Sequence, residues 1–126
     1  MTQALIAASD LSRTYGSRRG LFGAITQVRA VNRVSFTIAA GETLGIVGES
    51  GSGKSTMGRL TLGVEPPDQG DVRFKGERIP TVGTPAWRAQ RARMQMIYQD
   101  PLGALDRRLS VLAQVREPLA PSVTNQ

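Results

Sequence analysis

Neither cysteine nor histidine occurs among the 126 residues. The first absence excludes a disulfide framework and a thiolate metal site, and it suits a reducing compartment. The second removes the side chain that most often moves protons near neutral pH. Aromatic residues make up 5% of the chain, too few for a row of stacking platforms along a nucleic acid strand. No apolar run approaches the roughly 20 residues that cross a bilayer. The opening Met1-Thr2-Gln3-Ala4-Leu5 has neither a basic cluster nor a long apolar stretch, so no signal peptide is expected. Any membrane association is expected to be peripheral, through a partner.

What is present is glycine, arginine and a strongly patterned middle. The length fits one small domain with a modest core, and 14 Gly with 7 Pro imply a loop-rich fold. The net charge is +6, carried mainly by arginine. These arginines are scattered, with pairs at Arg18-Arg19 and Arg107-Arg108 and a trio at Arg88, Arg91 and Arg93. The charge therefore reads as a solvated surface rather than a phosphate-tracking stripe, and no nucleic acid partner is expected.

Along the chain, residues 4–15 read as a strand and residues 16–23 as a basic, glycine-rich loop. Residues 30–38 alternate, with Val34, Phe36 and Ile38 on one face and Arg33, Ser35 and Thr37 between them, the pattern of a half-buried strand. Residues 43–47 form an apolar run expected to be a strand buried on both faces. A glycine-rich loop and a helix over residues 54–62 follow. The Pro66-Pro67-Asp68-Gln69-Gly70 turn leads to a short strand at 71–74, and Lys75-Gly76 turns the chain again. Thr84 and Pro85 open a helix running towards Arg93. Residues 94–98 read as another apolar strand, and Ser110 caps a last helix to about Leu119. Short antiparallel-type strands followed by βα units imply an α/β nucleotide-binding core with a small all-β entry subdomain.

The centre of this pattern is Gly48-Glu49-Ser50-Gly51-Ser52-Gly53-Lys54-Ser55-Thr56, which satisfies GxxxxGK[ST] between an apolar run and a helix. Glycines let backbone N–H groups close on phosphate oxygens without a Cβ in the way. The following helix aims its N-terminal N–H groups and the positive end of its dipole at the same anion. Lys54 can neutralise the outer phosphates, and the Ser55 hydroxyl suits Mg²⁺.

The segment GETLGIVGESGSGKST resembles the Walker A region of ABC-transporter ATPases. Upstream, Tyr15 in LSRTYG resembles the aromatic that stacks on adenine in that family. Downstream, Met94-Gln95-Met96-Ile97-Tyr98-Gln99-Asp100-Pro101 resembles its Q-loop, with Gln99 as the glutamine that joins Ser55 at Mg²⁺. This wording, and Arg116-Glu117-Pro118-Leu119, is similar to the dipeptide and oligopeptide importer branch.

The resemblance implies a P-loop NTPase core with an N-terminal antiparallel β subdomain, ATP and Mg²⁺ as ligands, and a part in peptide import. It implies membrane-spanning transporter subunits and a second ATP-binding subunit as partners, and a place on the cytoplasmic face of the cell membrane. No LSGGQ-type signature, no apolar strand ending in the Asp-Glu pair of a Walker B motif and no switch histidine occurs in the chain. Residues 1–126 are therefore expected to be part of an ATP-binding domain, ending before Walker B. The resemblance places the core neighbours of strand 43–47 after the Q-loop strand, so Leu44, Ile46 and Val47 are expected to be less buried than their apolar character suggests. No catalytic residue is assigned, and hydrolysis by the chain alone is left open. Trp87 is expected to pack rather than bind. The alternatives are an inert remnant and an ABC ATPase acting on nucleic acid. The 44 residues from Ser55 to Gln99 leave no room for the long insertion of the latter.

Overall fold

The computed structural model describes residues 3–18, 21–100, 103 and 105–117. Pro101 of the Q-loop segment, and Pro118 and Leu119 at the end of the last expected helix, lie outside them.

Two long strands dominate, β1 (Ala4–Arg18) and β2 (Ile25–Ala39), paired antiparallel. β3 (Gln69–Phe74) pairs antiparallel with the other edge of β1, and β4 (Glu77–Arg78) follows on β3, giving the sheet order β2-β1-β3-β4. The alternation expected in β2 holds: Val34, Phe36 and Ile38 are half-buried between exposed Arg33, Ser35 and Thr37. In β1 both Ala8 and Leu11 are buried, although three residues apart. A strict two-residue repeat would put them on opposite faces. The register shift between them, with Asp10 at φ 49°, turns Leu11 inward. The Asp10 N–H, lifted from the ladder, donates to Ser35 Oγ at 2.9 Å.

Helix α1 (Lys54–Thr61) lies on this sheet. Met57 and Leu60, one turn apart, join Ala8, Leu11, Val31 and Val72 in the core. Helix α2 (Pro85–Arg91) begins as read, with Thr84 Oγ1 accepting the Trp87 N–H at 3.2 Å and Pro85 in the first turn. Trp87 packs, its indole N–H donating to the Gly63 carbonyl at 2.5 Å. Helix α3 (Val111–Arg116) is capped by Ser110 Oγ, which accepts from the Ala113 N–H at 3.2 Å.

Two expectations need correction. Residues 43–47 and 94–98 are not strands; both segments run without ladder partners. Leu44, Ile46 and Val47 are 42%, 47% and 98% exposed, as expected where the core neighbours of this segment are missing, and Ile97 is 96% exposed. A strand is defined by the neighbour it pairs with, and neither segment meets one here. The α/β character therefore appears, among the described residues, as an antiparallel sheet with three helices and no parallel pair.

Candidate functional site

The phosphate-type loop occupies residues 48–53 and feeds directly into α1. Gly53 is the N-cap, at φ 94° and ψ 7°. A Cβ there would run into the Ala30 carbonyl oxygen of β2, so the glycine lets the loop seat on the sheet. At Gly48 a Cβ would press on Ser52 Oγ. The first intrahelical bond runs from the Met57 N–H to the Gly53 carbonyl at 2.8 Å. The N–H groups of Lys54, Ser55 and Thr56 precede it and have no carbonyl of their own helix to reach. In α2 and α3 a cap hydroxyl takes up one such donor, whereas α1 starts from a glycine with no side-chain cap. The first turn of α1 thus offers donors and a dipole end together.

Lys54 folds back over the loop, its Nζ donating to the Gly48 carbonyl at 2.6 Å and the Glu49 carbonyl at 2.5 Å. Ser52 Oγ lies 3.3 Å from the same ammonium. The Ser52 N–H closes the turn on the Glu49 carbonyl at 3.1 Å, and Ser50 and Gly51 form its exposed tip. Thr56 is buried, with Oγ1 accepting from Arg59 at 3.4 Å, so its side chain serves the helix.

Lys54, Ser55, Gln99 and Asp100 line one cleft of about 800 Å³, with Gly58, Arg59 and the segment 96–98. Residues separated by more than forty positions in sequence thus share one opening. Its oxygen donors, the Ser55 hydroxyl and the Gln99 amide, are of the hard type that Mg²⁺ takes. Tyr15 is not among the described residues that line it. Its hydroxyl lies 2.8 Å from both oxygens of Glu65, and the Arg13 guanidinium lies 5.2 Å from its ring centroid.

Around Glu65 the structure gathers residues that sequence reasoning passed over. Arg13 reaches Glu65 at 2.7 Å and Asp68 at 2.8 Å, and Arg59 Nε reaches Glu65 at 3.3 Å. Burial pushes the Glu65 carboxyl up, but the Tyr15 hydroxyl, Arg59 and Arg13 outweigh it and hold it below its ordinary value. The Thr14 N–H, ahead of Arg13, likewise lowers Asp68 against a smaller opposing effect of burial. Tyr15 and Glu65 stand fifty residues apart in sequence, one on β1 and the other in the turn between α1 and β3.

Residues 31–124 match the family described as ABC transporter. The chain is 40% identical over 117 residues to a di/tripeptide transport ATP-binding protein of Pseudomonas aeruginosa, covering 93% of this chain and 36% of that protein. It is 37% identical over 119 residues to a dipeptide transport ATP-binding protein of Escherichia coli, covering 94% and 36%. To a glutathione import ATP-binding protein of Pectobacterium atrosepticum it is 43% identical over 116 residues, covering 91% and 19%. The chain thus spans about a third of the length of the first two relatives and about a fifth of the third. With most of its residues inside the matched region, the chain belongs to the ABC transporter family.

Proposed function

We propose that this chain binds the phosphates of Mg-ATP at residues 48–56, as the front part of the ATP-binding domain of a peptide importer. The observation that carries the reading is the uncapped start of α1, opening with Lys54 and Ser55 onto the cleft that also holds Gln99. The backbone N–H groups of Lys54, Ser55 and Thr56 would take the phosphate oxygens, and Lys54 would exchange its loop carbonyls for them. Ser55 and Gln99 would hold Mg²⁺, which when bound neutralises charge on the outer phosphates. Tyr15 would contribute its ring to adenine.

The names of the relatives support peptide or glutathione import as the setting. In that setting the intact protein would pair with a second ATP-binding subunit and dock on membrane-spanning subunits from the cytoplasmic side. Among the described residues no helix is long and apolar enough to cross a membrane. The antiparallel sheet would be the β subdomain, and the segments 43–47 and 94–98 would join a parallel sheet completed by chain that follows Walker A and the Q-loop in such domains.

Calorimetric titration of Mg-ATP into the chain and into Lys54→Ala tests the reading. Charge-assisted hydrogen bonds to phosphate contribute about 1.5–3 kcal/mol each, so the variant should lose binding by at least about tenfold. Equal affinity, with both proteins folded by circular dichroism, would refute it.

A further inference from the structure

The Glu65 carboxylate ties together elements that the phosphate loop alone does not connect. Tyr15 and Arg13 reach it from β1, and Arg59 reaches it from α1. Arg59 lies on the helix that begins with Lys54 and Ser55, and it lines the cleft with them. The Glu65 side chain is only 18% exposed, and all three of these partners converge on its two oxygens. A phenol bonded to both oxygens of one carboxylate loses its hydrogen bond if the ring swings. Asp68 accepts from Arg13 at 2.8 Å and from the Thr14 N–H at 2.7 Å, which fixes β1 immediately ahead of Tyr15.

We propose that Glu65 is a positioning residue for the base end of the nucleotide: it fixes the Tyr15 ring relative to the phosphate-loop helix, so that stacking and phosphate binding act on one rigid frame. This rests on the proposed readings of residues 48–56 as a nucleotide site and of Tyr15 as its adenine contact. Its specific content is that Glu65 governs affinity for the base and not for the phosphates. Stacking on a ring already oriented forfeits less rotational freedom on binding, and that saving disappears when the ring is released.

The test compares Mg-ATP with Mg-tripolyphosphate, which has the phosphates and no base. Both are titrated into the full chain and into Glu65→Gln, Tyr15→Phe and the double variant. Removing a negative charge near the cleft would by itself strengthen both ligands alike, so the ratio of their affinities is the readout. Glu65→Gln leaves the Tyr15 hydroxyl one neutral acceptor and takes away the second oxygen and the charge, so it should weaken ATP relative to tripolyphosphate by about twofold to tenfold. Tyr15→Phe, which keeps the ring and loses the hydroxyl, should do the same, and the double variant should be no worse than the weaker single one.

An unchanged ratio in Glu65→Gln, or in Tyr15→Phe if the first variant does not fold, would overturn the proposal. If the unaltered chain binds ATP no more tightly than tripolyphosphate, the positioning role fails while the phosphate site stands. Binding of neither ligand would overturn the nucleotide reading itself, and this role with it.

Discussion

Replacing Gly53 by alanine strikes the loop where it touches the sheet. Gly53 sits at φ 94°, and a Cβ there would meet the Ala30 carbonyl oxygen, a backbone atom that cannot swing aside. Gly51 has a similar φ of 81°, but a Cβ there meets nothing within 4 Å. Both substitutions carry the left-handed penalty of about 1–2 kcal/mol. Only Gly53→Ala adds a collision, and overpacking of that sort costs about 1–3 kcal/mol. The expected losses are thus about 1–2 kcal/mol for Gly51→Ala and about 2–5 kcal/mol for Gly53→Ala. Urea unfolding, followed by fluorescence of the single tryptophan, Trp87, measures the difference. With slopes of about 1–3 kcal/mol/M, the Gly53→Ala midpoint should fall below that of Gly51→Ala by about 0.3 M or more. Coincident midpoints would refute the seating of the loop on β2.

Two further outcomes follow from the surface and the charge cluster. Val47 and Ile97, 98% and 96% exposed, should make the purified chain bind the dye ANS and self-associate. Val47→Lys with Ile97→Lys should reduce both effects while changing stability by only about 0.5 kcal/mol per site, and persistence of both would contradict this origin. In acid, Glu65 and Asp68 are held below their ordinary values of 4.5 and 3.8, so the folded chain binds fewer protons than the unfolded one as pH falls. Their stabilisation is complete above about pH 4.5 and is lost as pH drops through the folded values. The urea midpoint should therefore decline below that pH, and less steeply in Glu65→Gln. Identical acid profiles would remove Glu65 from the account.

The loop was legible because its chemistry is local: glycine spacing, lysine and hydroxyl fall within nine consecutive residues. The caps at Thr84 and Ser110 were legible for the same reason, each hydroxyl reaching an N–H three residues on. Strand ends were less so. β1 runs to Arg18 and β2 starts at Ile25, because main-chain pairing through Gly16 and Ser17 carries the hairpin across a stretch whose composition reads as loop. Residues 43–47 and 94–98 show a different limit: apolar character tells what can be buried, and pairing depends on which neighbour is there. The Tyr15–Glu65 contact was not legible at all, since no local pattern announces a partner fifty residues away.

Amide hydrogen exchange with and without Mg-ATP tests most directly whether the phosphates lie at the start of α1. N–H groups of residues 48–56 should slow by about tenfold or more on addition of nucleotide, since binding suppresses the local openings through which they exchange. The same residues should not respond in Lys54→Ala. Protection that falls elsewhere in the chain, or that survives in Lys54→Ala, would contradict a phosphate site in this loop.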